Sequence, residues 1–210
     1  MESSARSRAL VDLIAVTAWI ASYIWWWRGS FVLYKAVLAI GLVDLSIYLH
    51  RSRRESFLQV IAGPNSFRPA LRWLAIWTIP PLLAVLIMVF IEKPTLPSWA
   101  EMGSRLMMLL LLGILQQYLL LAHVWRSTED LVPGRMASML IAAVIFSLLH
   151  LPNPFLVAAT AAAGFAACWI YRRAPNIIAI GLAHGVLSWA LYYGLPRTIT
   201  AGLRVGPNFS

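Results

Sequence analysis

Residues 106–125 read LMMLLLLGILQQYLLLAHVW, an apolar run interrupted near its middle by two adjacent amides, Gln116 and Gln117. A helix of about 20 residues rising ~1.5 Å each covers the ~30 Å hydrocarbon core of a bilayer. The amides therefore sit where water is scarce and an unpaired polar group costs kilocalories, so they must face other helices. Two later runs offer partners: 136–150, which closes on His150 in FSLLH, and 176–194, which carries His184 and Ser188 in HGVLS.

The chain around this stretch is 60% hydrophobic and 12% charged, with ten Trp among 210 residues and a mean hydropathy of +0.75. A soluble domain is excluded by that composition, and the class it implies is an all-α, polytopic membrane helix bundle. The net charge of +9 does not point to nucleic acid, because the Arg residues cluster in short segments between apolar runs. Positive charge there sets topology and meets anionic head groups, so the expected partner is membrane lipid. Cys168 is the single cysteine, which leaves no intrachain disulfide and no cysteine metal cage. No cofactor and no metal are expected.

Seven apolar runs can be read as spans: 9–27, 31–50, 73–91, 106–125, 136–150, 155–171 and 176–194. The first ends in Trp25, Trp26 and Trp27, which suit an interfacial aromatic belt, and so reads as an uncleaved span. The second carries Lys35, near enough to an end to snorkel, and the deeper Asp44, read as a hydrogen-bonded helix contact; His50 closes it in an interfacial position. Residues 51–72 form a polar connection. Pro80 and Pro81 should kink or break the third span. Residues 92–105 and 126–135 read as loops, and the tail from 195 as poorly ordered. With the N-terminus inside, eleven Lys and Arg fall on the inner side and five outside, the orientation that the positive-inside rule favours. One membrane domain is expected over 1–210, with three N-terminal spans in 1–105, a core in 106–194 and the tail in 195–210.

Depth decides which polar side chains can meet. Gln116 and His184 lie roughly 13 to 15 Å from the inner ends of their helices, and His150 about 21 Å. His123 shares a face with Gln116 by its seven-residue spacing, but lies too near the inner surface to join a three-histidine metal site. The spacings Phe146–His150 and His184–Ser188 put each pair on one helix face.

These residues resemble three motifs of the CAAX prenyl protease and bacteriocin-processing group of glutamic intramembrane proteases: Glu-Glu-x-x-x-Arg, Phe-x-x-x-His and His-x-x-x-Asn. The corresponding stretches are Gln116-Gln117-x-x-x-Leu121, Phe146-x-x-x-His150 and His184-x-x-x-Ser188. The likeness, which includes YRRAPNIIAIGLAHG before the third motif, covers about the last half of the chain. It implies a four-helix core over 106–194 and a multi-pass protein of a prokaryotic inner membrane. In the family the first Glu and the His of the second motif activate water, while the His and Asn of the third stabilise the oxyanion. By position Gln116 stands for the base, Gln117 and Leu121 for a Glu/Arg pair, His150 and His184 for themselves, and Ser188 for Asn. A carboxylate can take a proton from water, whereas an amide can only orient it.

Two functions follow. The first is a non-proteolytic relative whose Gln116, Gln117, His150, His184 and Ser188 line a polar pocket for a lipid-like or prenylated or hydrophobic peptide ligand, or for a partner membrane protein. The alternative is an atypical intramembrane endopeptidase in which His150 or His184 acts as the base.

Overall fold

The computed structural model describes residues 2–27, 40–41, 43–44, 46–48, 51, 56–63 and 66–209. Among them the helices run in the order α1 (Glu2–Ser22, continued as a π-helical turn, Tyr23–Trp27), α2 (Phe57–Ile61) and α3 (Phe67–Glu92). Next come α4 (Trp99–Leu131), α5 (Arg135–Leu148), α6 (Pro154–Arg173), α7 (Ile177–Gly194) and α8 (Arg197–Thr200). The isolated bridge between Ala62 and Asn176 is the strand-like pairing found among the described residues. The chain is an all-α membrane bundle.

Five of these helices, α1, α3, α4, α6 and α7, are long and apolar enough to cross a bilayer. Their outward faces are apolar: Leu111, Leu112 and Leu115 on α4 and Ile87, Phe90 and Ile91 on α3 are all exposed, a surface that lipid satisfies and water does not. The expected span over 31–50 lies largely outside the described residues, as do Lys35 and His50, while Asp44 is exposed.

Several expected boundaries move. The third helix starts at Phe67, within the stretch read as a polar connection, and runs unbroken through Pro80 and Pro81 to Glu92. Within it Thr78 donates its hydroxyl to Leu74 O at 2.8 Å. The fourth begins at Trp99, where the Ser98 side chain caps it by accepting from Glu101 N, and continues 33 residues to Leu131. At ~50 Å it outreaches the hydrocarbon core, so the two flanking loops are short. Its middle, Leu119–Trp125, is π-helical and buried on every side. The fifth is only 14 residues long, about 21 Å, and pairs with α6 as a hairpin. His150 lies in the turn that follows it.

The tail is also ordered, contrary to its reading as loose chain. Asn153, 1% exposed, donates its amide to Thr200 O at 2.9 Å and Arg204 O at 3.1 Å, while its carbonyl oxygen caps α6 by accepting from Leu156 N. Gly206 N donates to Leu151 O at 2.8 Å. One buried amide thus starts a helix and ties the tail to the α5–α6 turn.

The closest helix contact is the antiparallel pair α4–α7. A Cβ on Gly181 would stand 2.5 Å from Ile114 Cα, one on Gly185 2.7 Å from Leu110 Cα, and one on Gly113 2.5 Å from Gly181 O. Small residues four apart let two backbones touch in lipid, where hydrophobic attraction between helices is absent. Gly181→Ala and Gly185→Ala should therefore each lower stability by about 1–3 kcal/mol through overpacking against backbone. Gly103→Ala, with nothing within 4 Å of its Cβ, should not. Unfolding in mixed micelles measures all three, and equal stability across the set would refute the contact's importance.

Candidate functional site

Gln117 lies one turn beyond Gly113 on α4, and His184 lies between Gly181 and Gly185 on α7. Helical side chains lean toward their own N-terminus, so in an antiparallel pair these two lean toward each other. Gln117 Nε2 donates to His184 Nδ1 at 3.2 Å. Gln117 is 1% exposed, and its Oε1 is buried with no hydrogen-bond partner among the described residues.

The second imidazole reaches the same region from the α5–α6 turn. His150 Nδ1 donates to Phe146 O at 2.8 Å. The Phe146 ring meets both imidazoles edge-on, its centroid 5.0 Å from that of His150 and 6.2 Å from that of His184. Gly164 on α6 makes room for it, since a Cβ there would lie 3.2 Å from Phe146 Cδ1. Phe146 is thus the wedge that holds the second and third motif histidines apart.

The structure brings Gln117, Phe146, His150 and His184 together. Gln116, the neighbouring amide, is half-buried, as is Ser188 one turn beyond His184; neither side chain forms a hydrogen bond among the described residues. Leu121 is fully buried. His123 stands apart, with Nε2 3.4 Å from Ser46 Oγ and its ring edge-on to Tyr118 at 5.0 Å. Among the described residues no three His, Cys, Asp or Glu side chains converge as a metal would require.

Partner chemistry fixes the protons. A carbonyl only accepts, so His150 carries its proton on Nδ1 and offers the Nε2 lone pair. An amide nitrogen only donates, so His184 Nδ1 accepts and the proton of its neutral ring is on Nε2. The cluster accordingly presents one acceptor imidazole, one donor imidazole and one unpaired amide oxygen, with no charge among them.

A bundle of membrane helices that encloses a neutral amide–imidazole cluster defines an integral membrane protein with an intramembrane polar centre. Residues 82–190 match the family described as Type II CAAX prenyl endopeptidase Rce1-like, a little over half of the 210-residue chain. The chain belongs to that family. No curated protein and no solved structure matches it.

Two features were passed over in the sequence. Asp12 is buried in α1 within a run whose apolar length hid it. A cavity of about 550 Å³ lies at one end of the bundle between Trp125, Arg126, Glu129, Arg135 and Arg172. Its signal in the sequence is arginines at helix ends, which also serve as topology charges.

The proton positions are testable. In protein labelled with ¹⁵N-histidine, neutral His184 should titrate as the Nε2–H tautomer and His150 as the Nδ1–H tautomer, and Gln117→Leu should release the preference of His184 alone. Finding the same tautomer for both would contradict the hydrogen bonds described.

Proposed function

We propose that this chain is a CAAX-protease-like membrane protein in which the Gln/His cluster binds rather than cleaves, holding a lipid-like molecule or a prenylated or hydrophobic peptide, or a segment of a partner membrane protein. The observation that carries this reading is the 3.2 Å bond between Gln117 and His184 beside the unpaired, buried Gln117 Oε1. An amide cannot take a proton from water at neutral pH. An orphaned buried acceptor costs about 1–3 kcal/mol, which a ligand hydroxyl or peptide N–H would recover. The His184 Nε2–H offers the complementary donor to the carbonyl of the same ligand. The amide–imidazole arrangement is suited to a neutral polar group on an apolar body.

A second reading, hydrolysis with His150 as the base, is favoured by one observation: the bond to Phe146 O at 2.8 Å leaves His150 Nε2 free to accept from water. On this reading His184 Nε2–H would donate to the developing oxyanion.

Binding and cleavage of a farnesylated CAAX peptide by the detergent-purified protein separate the two. On the binding reading the intact peptide is retained, and Gln117→Leu weakens retention by about tenfold, the value of one lost hydrogen bond. Cleavage abolished by His150→Ala would replace this reading with the second.

Restoring a carboxylate tests how far the site has moved from the family's chemistry. Gln116→Glu and Gln117→Glu should each leave cleavage weak. Ser188, half-buried, has a shorter reach than an Asn amide, and losing one oxyanion donor costs about 10² to 10³ in rate. Gln116→Glu combined with Ser188→Asn should exceed either single change, and strong cleavage by a single variant would refute the role given to position 188.

The proposed orientation has the N-terminus in the cytoplasm of a prokaryotic cell, supported by the eleven-to-five distribution of Lys and Arg. Reporter fusions should place the loop between α3 and α4 outside and the one between α4 and α5 inside; the reverse result would overturn the orientation.

A further inference from the structure

We propose that the cavity at the α4–α5 end of the bundle is a phosphate site, filled by the headgroup of an anionic phospholipid. The cavity, about 550 Å³, is lined by Arg126, Arg135 and Arg172 against one acidic residue, Glu129. All three cations act electrostatically on Glu129, as does the acidic neighbour Asp130. Arg126 and Glu129 come from the last turns of α4, Arg135 from the first residue of α5, and Arg172 from the last turn of α6. Chain connectivity brings these three helix ends to one face of the membrane, where a headgroup would be.

Further features suit a phosphate with an apolar body. Gly134 gives α5 no side-chain cap, and the positive end of that helix's dipole lies at Arg135, a residue of the cavity's lining. Trp125, 4% exposed, lines the cavity, and its Nε1–H finds no acceptor among the described residues. The wall is apolar and fixed: Tyr171 meets Trp125 edge-on at 5.7 Å and donates its hydroxyl to Val60 O at 2.8 Å. Behind it Thr128 Oγ1 lies 2.7 Å from Trp125 O and 3.1 Å from Ser138 O, at the contact between α4 and α5. Arginine guanidinium groups match phosphate oxygens in pairs. The size of the cavity exceeds that of a bare phosphate, and its Val60, Trp125 and Tyr171 wall would cover glycerol or acyl carbons rather than water.

Native mass spectrometry of the whole chain in detergent tests this with dioleoylphosphatidylglycerol, dioleoylphosphatidylcholine and inorganic phosphate as separate probes. The wild type should retain one phosphatidylglycerol in preference to phosphatidylcholine. Arg135→Gln combined with Arg172→Gln should weaken that retention at least tenfold, since each arginine near a charged lipid surface contributes about a factor of five. Glu129→Gln should tighten it, a gain that misfolding cannot produce. Equal retention of the two lipids, or no tightening in Glu129→Gln, overturns the proposal. Protection from thermal unfolding by inorganic phosphate as great as that by phosphatidylglycerol overturns the assignment to lipid.

Discussion

The backbone contact between α4 and α7 is the constraint on which the polar centre depends. In hydrocarbon two apolar helices gain little from apolar contact as such, so close approach must come from shape. Gly113 against Gly181 and Gly185 brings main chain to main chain at the crossing, to the point where any added Cβ would strike it. Only at that separation can the Gln117 amide span to His184. The start of α7 is pinned by a second buried amide: Asn176 accepts from Ala179 N at 2.9 Å and donates to Ser66 Oγ at 3.2 Å. Gly63 N, donating to Pro175 O at 2.8 Å, holds the same junction. The chain before α3 and the turn before α7 are therefore one structural unit.

Charge is absent from the cluster, and the surroundings explain why neutrality is stable there. Leu121, one turn beyond Gln117, has no exposed surface. A guanidinium in that position would need a buried carboxylate to offset it, and removing only one member of such a pair would strand the other at a cost of several kcal/mol. Gln117 with Leu121 carries neither. What remains is hydrogen bonding, and it is asymmetric: His150 is held by a carbonyl and His184 by an amide nitrogen. Two identical side chains are given opposite roles by what each one touches.

Apolar runs in the sequence mark the membrane class, the two histidine-bearing stretches and the approximate helix positions, because in lipid each span must be continuously apolar. Helix ends are less legible. Phe67–Arg72 and Trp99–Arg105 are helical although they carry arginines or flank prolines, since a helix can continue past the hydrocarbon boundary once its backbone bonds are satisfied. Pro80 and Pro81 argue for a kink or a break, and the helix runs unbroken through them. The tail reads as polar chain because nothing local in it announces Asn153, whose bonds to Thr200 and Arg204 cross about 50 residues of sequence. In the candidate site, residue spacing identifies the two histidines, but it cannot tell which of two adjacent amides faces them. That choice belongs to the glycine contact, which only the packed pair reveals.

The π-helical stretch explains why spacing fails on α4 in particular. An α-helix turns ~100° per residue, so Gln116 and His123 should share a face. A π turn holds an extra residue and rotates everything beyond it relative to what comes before. Leu119–Trp125 lies between the two amides and the last turns of α4, and all seven of its side chains are buried. One helix can thereby present Gln117 to α7 and, two turns later, Trp125 and Arg126 to the ends of α5 and α6. Had the helix stayed regular, His123 would follow the glutamines toward the α7 side. Instead it packs against Tyr118 and lies beside Ser46. The same irregularity that hides the helix from a periodic reading lets it serve both the amide–imidazole cluster and the arginine-lined cavity.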